Sequence, residues 1–350
     1  MAGRILLKKV RIGIIGAGGG GTNAVANNAH KFAPFNIDFL AINTDEQALQ
    51  KSGKSNYKYF ERKLIGKKIT NGLGAGSNPE IGWKAAAEEK EWIKSWLREK
   101  KLIFIVTGLG GGTGSGAAPY VTKLAKELGI TTICISTIPF AFEGKERTEN
   151  ALSGLKTIEK YADLSIVINN NDLFKQHSEN TVESTFLTAD KLLGDAIITI
   201  LNLMLEDSYI NVDFADIEKV IKGAKGGFIS ITFAKDVNDK GLKENSSKFD
   251  KAIKQLLDHT IVPTEMKTAK RAVLSISGPN KILKMDYVRY IINSILENVN
   301  ANLDIIFGLT NNNELGNNLK ISLILTGMKE LIVTDNIVGI EEKFLHKKTK

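Results

Sequence analysis

Two glycine-rich loops, "GAGGGGTN" (Gly16–Asn23) and "GLGGGTGSG" (residues 108–116), each stand between an apolar, β-rich run and a stretch with helical spacing. A flexible linker does not sit between a buried strand and a helix. Glycine lets backbone come close to a ligand and take positive φ, and a helix N-terminus presents N–H groups and the positive end of a dipole. The chain therefore carries two anion-binding arrangements. Neither loop closes on a Lys-Ser/Thr pair, which excludes the P-loop. The first loop alone fits G-x-G-x-x-G, and Asp45 in "INTDE" ends the second β-run, so a nicotinamide-dependent dehydrogenase is one alternative. That reading leaves the second glycine loop with no role.

Around the loops, β-rich runs alternate with helical stretches: "VRIGIIGAG", "IDFLAINTD", "KLIFIVTG", "TTICISTIPF" and "LSIVINN" are the runs. Strands in β-α-β order that are apolar on both faces predict an α/β fold with a mostly parallel, Rossmann-like sheet. Its ligands bind at the carboxyl ends of the strands. "NPEIGWKAAAEEKEWIKSWLREK" predicts one long amphipathic helix through Trp83, Ala86, Ala87, Ile93, Trp96 and Leu97. "VESTFLTADKLLGDAIITILNLML" is apolar on nearly every face and predicts a buried central helix. A smaller α+β domain follows, with helices near 246–259 and in "MDYVRYIINSILENV" and strands in "KRAVLSISGP", "LDIIFGLTNN" and "LKISLILTG". The expected division is 1–180 for the first domain, 181–207 for the central helix, 208–222 for a loop and helix, 223–330 for the second domain and 331–350 for a short tail.

At 350 residues, with 43% hydrophobic and 25% charged residues, the chain holds two ordinary globular cores. No run reaches the ~18 apolar residues of a membrane span. The single cysteine, Cys134, lies in an apolar run, which excludes internal disulfides and fits a cytosolic address. The net charge of +8 reads as a lysine-rich solvated surface or as attraction to nucleic acid or anionic lipid. No aromatic-interleaved basic motif supports the second reading.

The order "GGGGTN … INTDE … GLGAGSNPE … GGGTGSG … PFAFEGKER … NNND … NVDFAD" resembles the FtsZ/tubulin family of GTP-binding filament proteins over residues 9–328. "GLGAGSNPEIG", "PFAFEGKER" and "INVDFAD" are similar to FtsZ, whereas Ser115 is the tubulin form of the phosphate loop. The resemblance implies GTP and GDP as ligands, Mg²⁺ as the charge-neutralising ion with no ligands assignable to it, and a tubulin/FtsZ fold. Gly18, Gly19, Gly20 and Gly21, with Gly110, Gly111, Gly112, Thr113, Gly114, Ser115 and Gly116, would surround the phosphates. Gly74, Ala75 and Gly76 would approach the γ-phosphate. Glu143 and Arg147 would contact the ribose and phosphate side, Asn170 the sugar or base, and Asn23 the guanine. Phe186 would stack on the base while Asp190 accepts its N1–H and amino protons. Asn43, Asp45, Gly108 and Pro139 complete the nucleotide-binding set.

In "INVDFAD", Asn211, Asp213 and Asp216 would serve the nucleotide site of the next subunit, where the aspartates orient the attacking water. On residue chemistry alone, either aspartate is equally an N-cap of "IEKVIKG". The implied activity is GTP hydrolysis dependent on head-to-tail assembly, a heterologous contact that yields filaments. The implied setting is the cytoplasm and the division site at the inner membrane face, with membrane-anchor or division proteins as further partners. A GTP-dependent relative that partitions DNA or shapes cells is the second reading. Departures from the pattern are "AKGGFISI", where a methionine-rich strand is common, and "INNND" in place of "I-P-N-D".

Overall fold

The apolar runs of the first half become strands because their side chains find cover on both faces. These are β1 (Ile12–Ala17), β2 (Asp38–Asn43), β4 (Leu102–Gly108), β5 (Thr131–Ile138) and β6 (Leu164–Asn169), almost wholly buried. In this computed structural model the described residues are 10–32, 35, 37–52, 60–171, 181–204, 208–210, 212–257 and 266–328. They divide into two units, residues 10–197 and 198–328. In the first, the strands are all parallel in the order β3-β2-β1-β4-β5-β6. The edge strand β3 (Phe60–Leu64, "FERKL") is half-exposed, and its charged sequence carries no strand signal. Strand order reverses between β1 and β4, whose ends lie side by side with Ala17 opposite Thr107. That is the topological switch point where parallel sheets bind ligands, and both glycine loops leave from it.

The helices of this unit are α1 (Gly18–Phe32), α2 (Glu46–Lys51), α3 (Lys67–Thr70), α4 (Pro79–Glu88), α5 (Lys90–Leu97), α6 (Gly112–Glu127), α7 (Lys145–Tyr161) and the part of α8 (Val182–Leu203) up to Ile197. The long helix expected from Asn78 onward is therefore two, broken at Glu89 (φ −98°, ψ 18°). Two glycine contacts aim the halves differently. A Cβ on Gly82 of α4 would lie 2.2 Å from Gly112 O, whereas α5 lays Trp96 where a Cβ on Gly13 of β1 would lie 2.7 Å from the ring. Helix α8 is not buried throughout: Phe186 and Leu187 near its start are exposed, while Leu193, Ala196, Ile197, Ile200, Leu201 and Leu203 are buried. Cys134 is fully buried core, and burial pushes its thiol pKa up.

The second unit contains β7 (Ser208–Ile210), α9 (Phe214–Ile221), β8 (Lys225–Ala234), α10 (Leu242–Leu257), β9 (Arg271–Gly278), α11 (Met285–Asn298), β10 (Asp304–Asn311) and β11 (Leu319–Thr326). Its strands run β8-β11-β9-β10-β7, all antiparallel pairs except β9–β10. Phe249, Ile253 and Leu256 of α10 and Tyr287, Ile291 and Ile295 of α11 cover one face over Leu274, Ile276, Leu323 and Leu325. No helix among the described residues is long and apolar enough to cross a membrane. Asn211 and the tail beyond residue 328 lie outside the described residues.

Candidate functional site

At the switch point of the first unit a cleft of about 400 Å³ opens, and the described residues that wall it all lie at or before Leu193. Helices α1 and α6 both begin there. A Cβ on Gly18 (φ +71°) would lie 2.9 Å from Gly114 N, so the two glycine loops touch. Helix α6 starts at Gly112 after an N-cap, Gly111, that has no side chain to accept from the first-turn N–H groups. The groups that usually turn back to a cap therefore remain for an anion.

The glycines divide into two kinds. Gly19 and Gly111 wall the cleft, and a Cβ on either meets nothing within 4 Å. Gly20, Gly108, Gly112 and Gly114 wall it too, and all but Gly108 also press on backbone: a Cβ on Gly114 would lie 2.1 Å from Gly108 O. Gly21 and Gly116 stand behind the wall. Their Cβ atoms would lie 2.2 Å from Val106 O and 2.0 Å from Pro79 O, so these positions let helices α1 and α6 lie close to β4 and α4. Gly110 (φ +108°) donates its N–H to Ser115 Oγ at 2.8 Å, which closes the turn.

The loop after β3 is moored to the end of β2. Gly74 N donates to Thr44 O (3.1 Å), Glu46 N to Gly72 O (2.9 Å) and Thr70 Oγ1 to Thr44 O (3.2 Å). Thr44 Oγ1 in turn bonds Thr113 Oγ1 at 2.7 Å, linking this loop to the second glycine loop. Asn43 Oδ1 accepts from Thr44 N (2.9 Å) and Asp45 N (3.3 Å), and Asp45 Oδ1 caps α2 at Ala48 N (2.8 Å). Gly74, Ala75 and Ser77 reach the cleft, whereas Gly76 does not wall it. Asn150 Nδ2 holds this loop by donating to Ser77 O at 2.7 Å.

Opposite stand Thr137, Pro139, Glu143, Arg147 and Asn170. Glu143 accepts from Phe140 N (2.9 Å) and pairs with Arg147. Asn170 is only 5% exposed, and its Oδ1 has no hydrogen-bond partner. A buried amide oxygen without a donor is costly unless something else supplies one, and this one belongs to the cleft wall. Phe186, Ala189, Asp190 and Leu193 of α8 close the cleft, with Phe186 edge-on to Phe140 at 5.5 Å. Burial pushes the Asp190 carboxyl up to about 6, although Asn27 Nδ2 donates to its Oδ2 at 2.8 Å. Asn23 is exposed on α1, one turn before Asn27, and does not wall the cleft.

Asp213 and Asp216 belong to the second unit. Asp213 occupies the N-cap of α9, but its exposed side chain makes no cap hydrogen bond. Asp216 pairs with Lys219 at 3.0 Å. Thr44, Ala48, Ser77, Leu109, Thr137, Ala189 and Leu193 also wall the cleft, although none of them is among the site residues assigned from the sequence.

The cleft walls thus combine glycine-loop N–H donors with two kinds of acceptor, a half-buried carboxylate and an orphaned amide oxygen, and with an aromatic face, a set suited to a purine nucleotide. Comparison with known proteins agrees. Residues 11–178 match the Tubulin/FtsZ family, GTPase domain, and residues 239–329 the FtsZ family, C-terminal domain. The chain is 34% identical over 338 residues to cell division protein FtsZ 1 of Methanocaldococcus jannaschii, covering 96% of this chain and 88% of that one. It is 36% identical over 317 residues to cell division protein FtsZ of Mycoplasmopsis pulmonis, covering 91% and 77%. An empty FtsZ dimer from M. jannaschii superposes with a TM-score of 0.80 at 33% identity over 91% of this chain and 88% of that one. Matched in both of its domains and along nearly all of its length, the chain belongs to the FtsZ branch of the tubulin/FtsZ family and is a GTPase.

Proposed function

We propose that the chain is the subunit of a cell-division filament, that GTP lies in the cleft, and that Asp213 and Asp216 of a second copy complete hydrolysis. The observation that carries this is the occupation of the cleft's own carboxylates. Asp45 caps α2, Glu143 holds Arg147 and Phe140 N, and Asp190 is tied to Asn27. Asp45 and Glu143 are committed within their own segments, and Asp190, oriented from α1, serves the base in this reading, so the group that orients water comes from elsewhere. Asp213, exposed and unbonded at its cap, suits that role. Two exposed apolar side chains flank cleft-lining residues: Leu73 (84%) beside Gly74, and Phe142 (72%) beside Glu143. Apolar groups in such a position suit contact with another protein surface, and the M. jannaschii relative was seen as a dimer.

In this reading Gly19, Gly111 and the start of α6 hold the phosphates, Asn170 Oδ1 accepts from the sugar or base, and Asp190 accepts from the guanine edge. Mg²⁺ bound together with the nucleotide would supply charge neutralisation beside the phosphates. Residues 1–180 act as the GTP-binding domain, 181–207 as the central helix, 208–222 as the catalytic loop and helix, and 223–330 as the second domain. We place the work of the protein in the cytoplasm, at the inner face of the membrane where the cell divides, with membrane-anchor or division proteins as partners.

GTPase activity per chain is expected to rise with protein concentration and to track light scattering. Activity per chain that stays constant on dilution would exclude a shared site. A second outcome concerns pH. Because the free Asp190 carboxyl titrates near 6, about one chain in eleven is ionised there at pH 5, and GDP affinity is expected to fall about tenfold between pH 7 and pH 5. Asp190→Asn should show a flatter profile. Stability without nucleotide moves the other way. With its folded pKa above the ordinary value of 3.8, Asp190 makes the folded chain bind more protons, and its contribution is lost as pH rises from about 4 to about 6.

A further inference from the structure

We propose that Asn27 is the positioning residue that turns the Asp190 carboxylate toward the base, so that preference for guanine over bases lacking the 2-amino group is set partly from α1. The inference rests on the reading of Asp190 as the base-recognising group. An aspartate on a helix has two rotatable torsions, and its carboxylate accepts two parallel N–H bonds only when its plane lies along the donors. Asn27 Nδ2 donates to Asp190 Oδ2 at 2.8 Å, which fixes that plane and leaves Oδ1 and one lone pair of Oδ2 free. The next residue sets the distance between the helices. Asn28 is 3% exposed and donates from Nδ2 to Ala24 O and Asp190 O, both at 2.8 Å. Its amide packs where a Cβ on Gly194 would lie 2.3 Å away, so α1 and α8 close on it. Asn28 thus sets the spacing, and Asn27, exposed one position earlier, reaches the carboxylate from the surface.

The charge of the partner matters. On α1 the nearby ionisable groups are His30 and Lys31, and Lys31 is bonded to Asp195 at 3.4 Å. On α8 they are Glu183, Lys191 and Asp195. Elsewhere in the cleft, Arg147 is paired with Glu143 and Asp45 caps α2. The hydrogen-bond donor on the Asp190 carboxylate is the neutral amide of Asn27. A neutral donor orients a carboxylate without neutralising it, which leaves the full charge for the N–H groups of a base.

The test compares GDP with inosine diphosphate, which lacks the 2-amino group, by equilibrium titration of the full chain below its assembly concentration at pH 7.5. The parent chain should prefer GDP by about tenfold or more, the size of one hydrogen bond to a charged group. Asn27→Ala should bring the ratio to about twofold or less, mainly by weakening GDP, and Asn27→Asp should also move the pH midpoint of binding above that of the parent. Unfolding temperatures of both variants without nucleotide show whether the fold is intact. If Asp190→Ala abolishes the preference while Asn27→Ala keeps it, or weakens both nucleotides equally, Asn27 only ties two helices together and the inference is overturned. If Asp190→Ala keeps the preference, the reading of Asp190 itself fails.

Discussion

Asp213→Ala is expected to bind GTP as tightly as the parent chain and to hydrolyse it at least about a hundredfold more slowly, the lower range for loss of a group that orients or deprotonates a nucleophile. Binding should survive because, among the described residues, none beyond Leu193 walls the cleft. Folding should survive because the Asp213 side chain is exposed and bonds none of the N–H groups it caps, so the ~1 kcal/mol that an N-cap normally contributes is not there to lose. A lost rate therefore reads as lost chemistry. Mixing sharpens the result. A chain impaired in its cleft still offers Asp213, and Asp213→Ala still offers its cleft, so the two together should recover part of the rate that neither has alone. Weakened GTP binding by Asp213→Ala, or unchanged turnover, would remove Asp213 from the role proposed for it.

Gly116→Ala and Gly111→Ala are expected to fail in opposite ways. A Cβ on Gly116 would lie 2.0 Å from Pro79 O and 2.7 Å from Trp83 N, both backbone atoms of α4 that cannot swing aside. Helices α4 and α6 would have to part. We expect a loss of about 3 kcal/mol or more in unfolding free energy, larger than the ~1 kcal/mol that alanine brings to a helix interior. Gly111 has φ −88° and ψ 167°, which any residue adopts, and its Cβ would meet nothing within 4 Å. Its added methyl stands in the cleft, so stability without nucleotide should change by less than about 0.5 kcal/mol while GTP affinity falls. Denaturant unfolding and nucleotide titration of both variants check the pair. Equal stability of the two would mean that the α4–α6 contact is looser than the geometry requires.

That contrast shows what was legible in the sequence. Strand, glycine loop and helix are local signals, so the parallel sheet, the cleft and Gly19 and Gly111 could be read directly. The task of Gly116 could not, because its partner Pro79 lies far away along the chain and only packing brings them together. The break at Glu89 was hidden for the same reason: helical spacing continues through it, and the partners that its two halves pack against, Gly112 and Gly13, lie on other elements. β3 escaped notice because an edge strand tolerates the charges of "FERKL". The resemblance supplied Asp190, but not Asn27, which sits one helical turn beyond the asparagine the family pattern names. Thr44 and Thr113 belong to motifs only separately. Their hydrogen bond appears once the chain leaving β2 meets the first turn of α6.

That threonine bond makes the rim of the cleft part of a short mechanical train. Thr113 grips Thr44, Thr44 O holds Gly74 N, and Leu73, the most exposed large apolar side chain among the described residues, is the next residue on the loop. Only two hydrogen bonds and one peptide unit separate the second glycine loop from Leu73 at the surface. A neighbouring molecule resting on Leu73 would therefore bear on the same short train of contacts as a ligand held by that glycine loop.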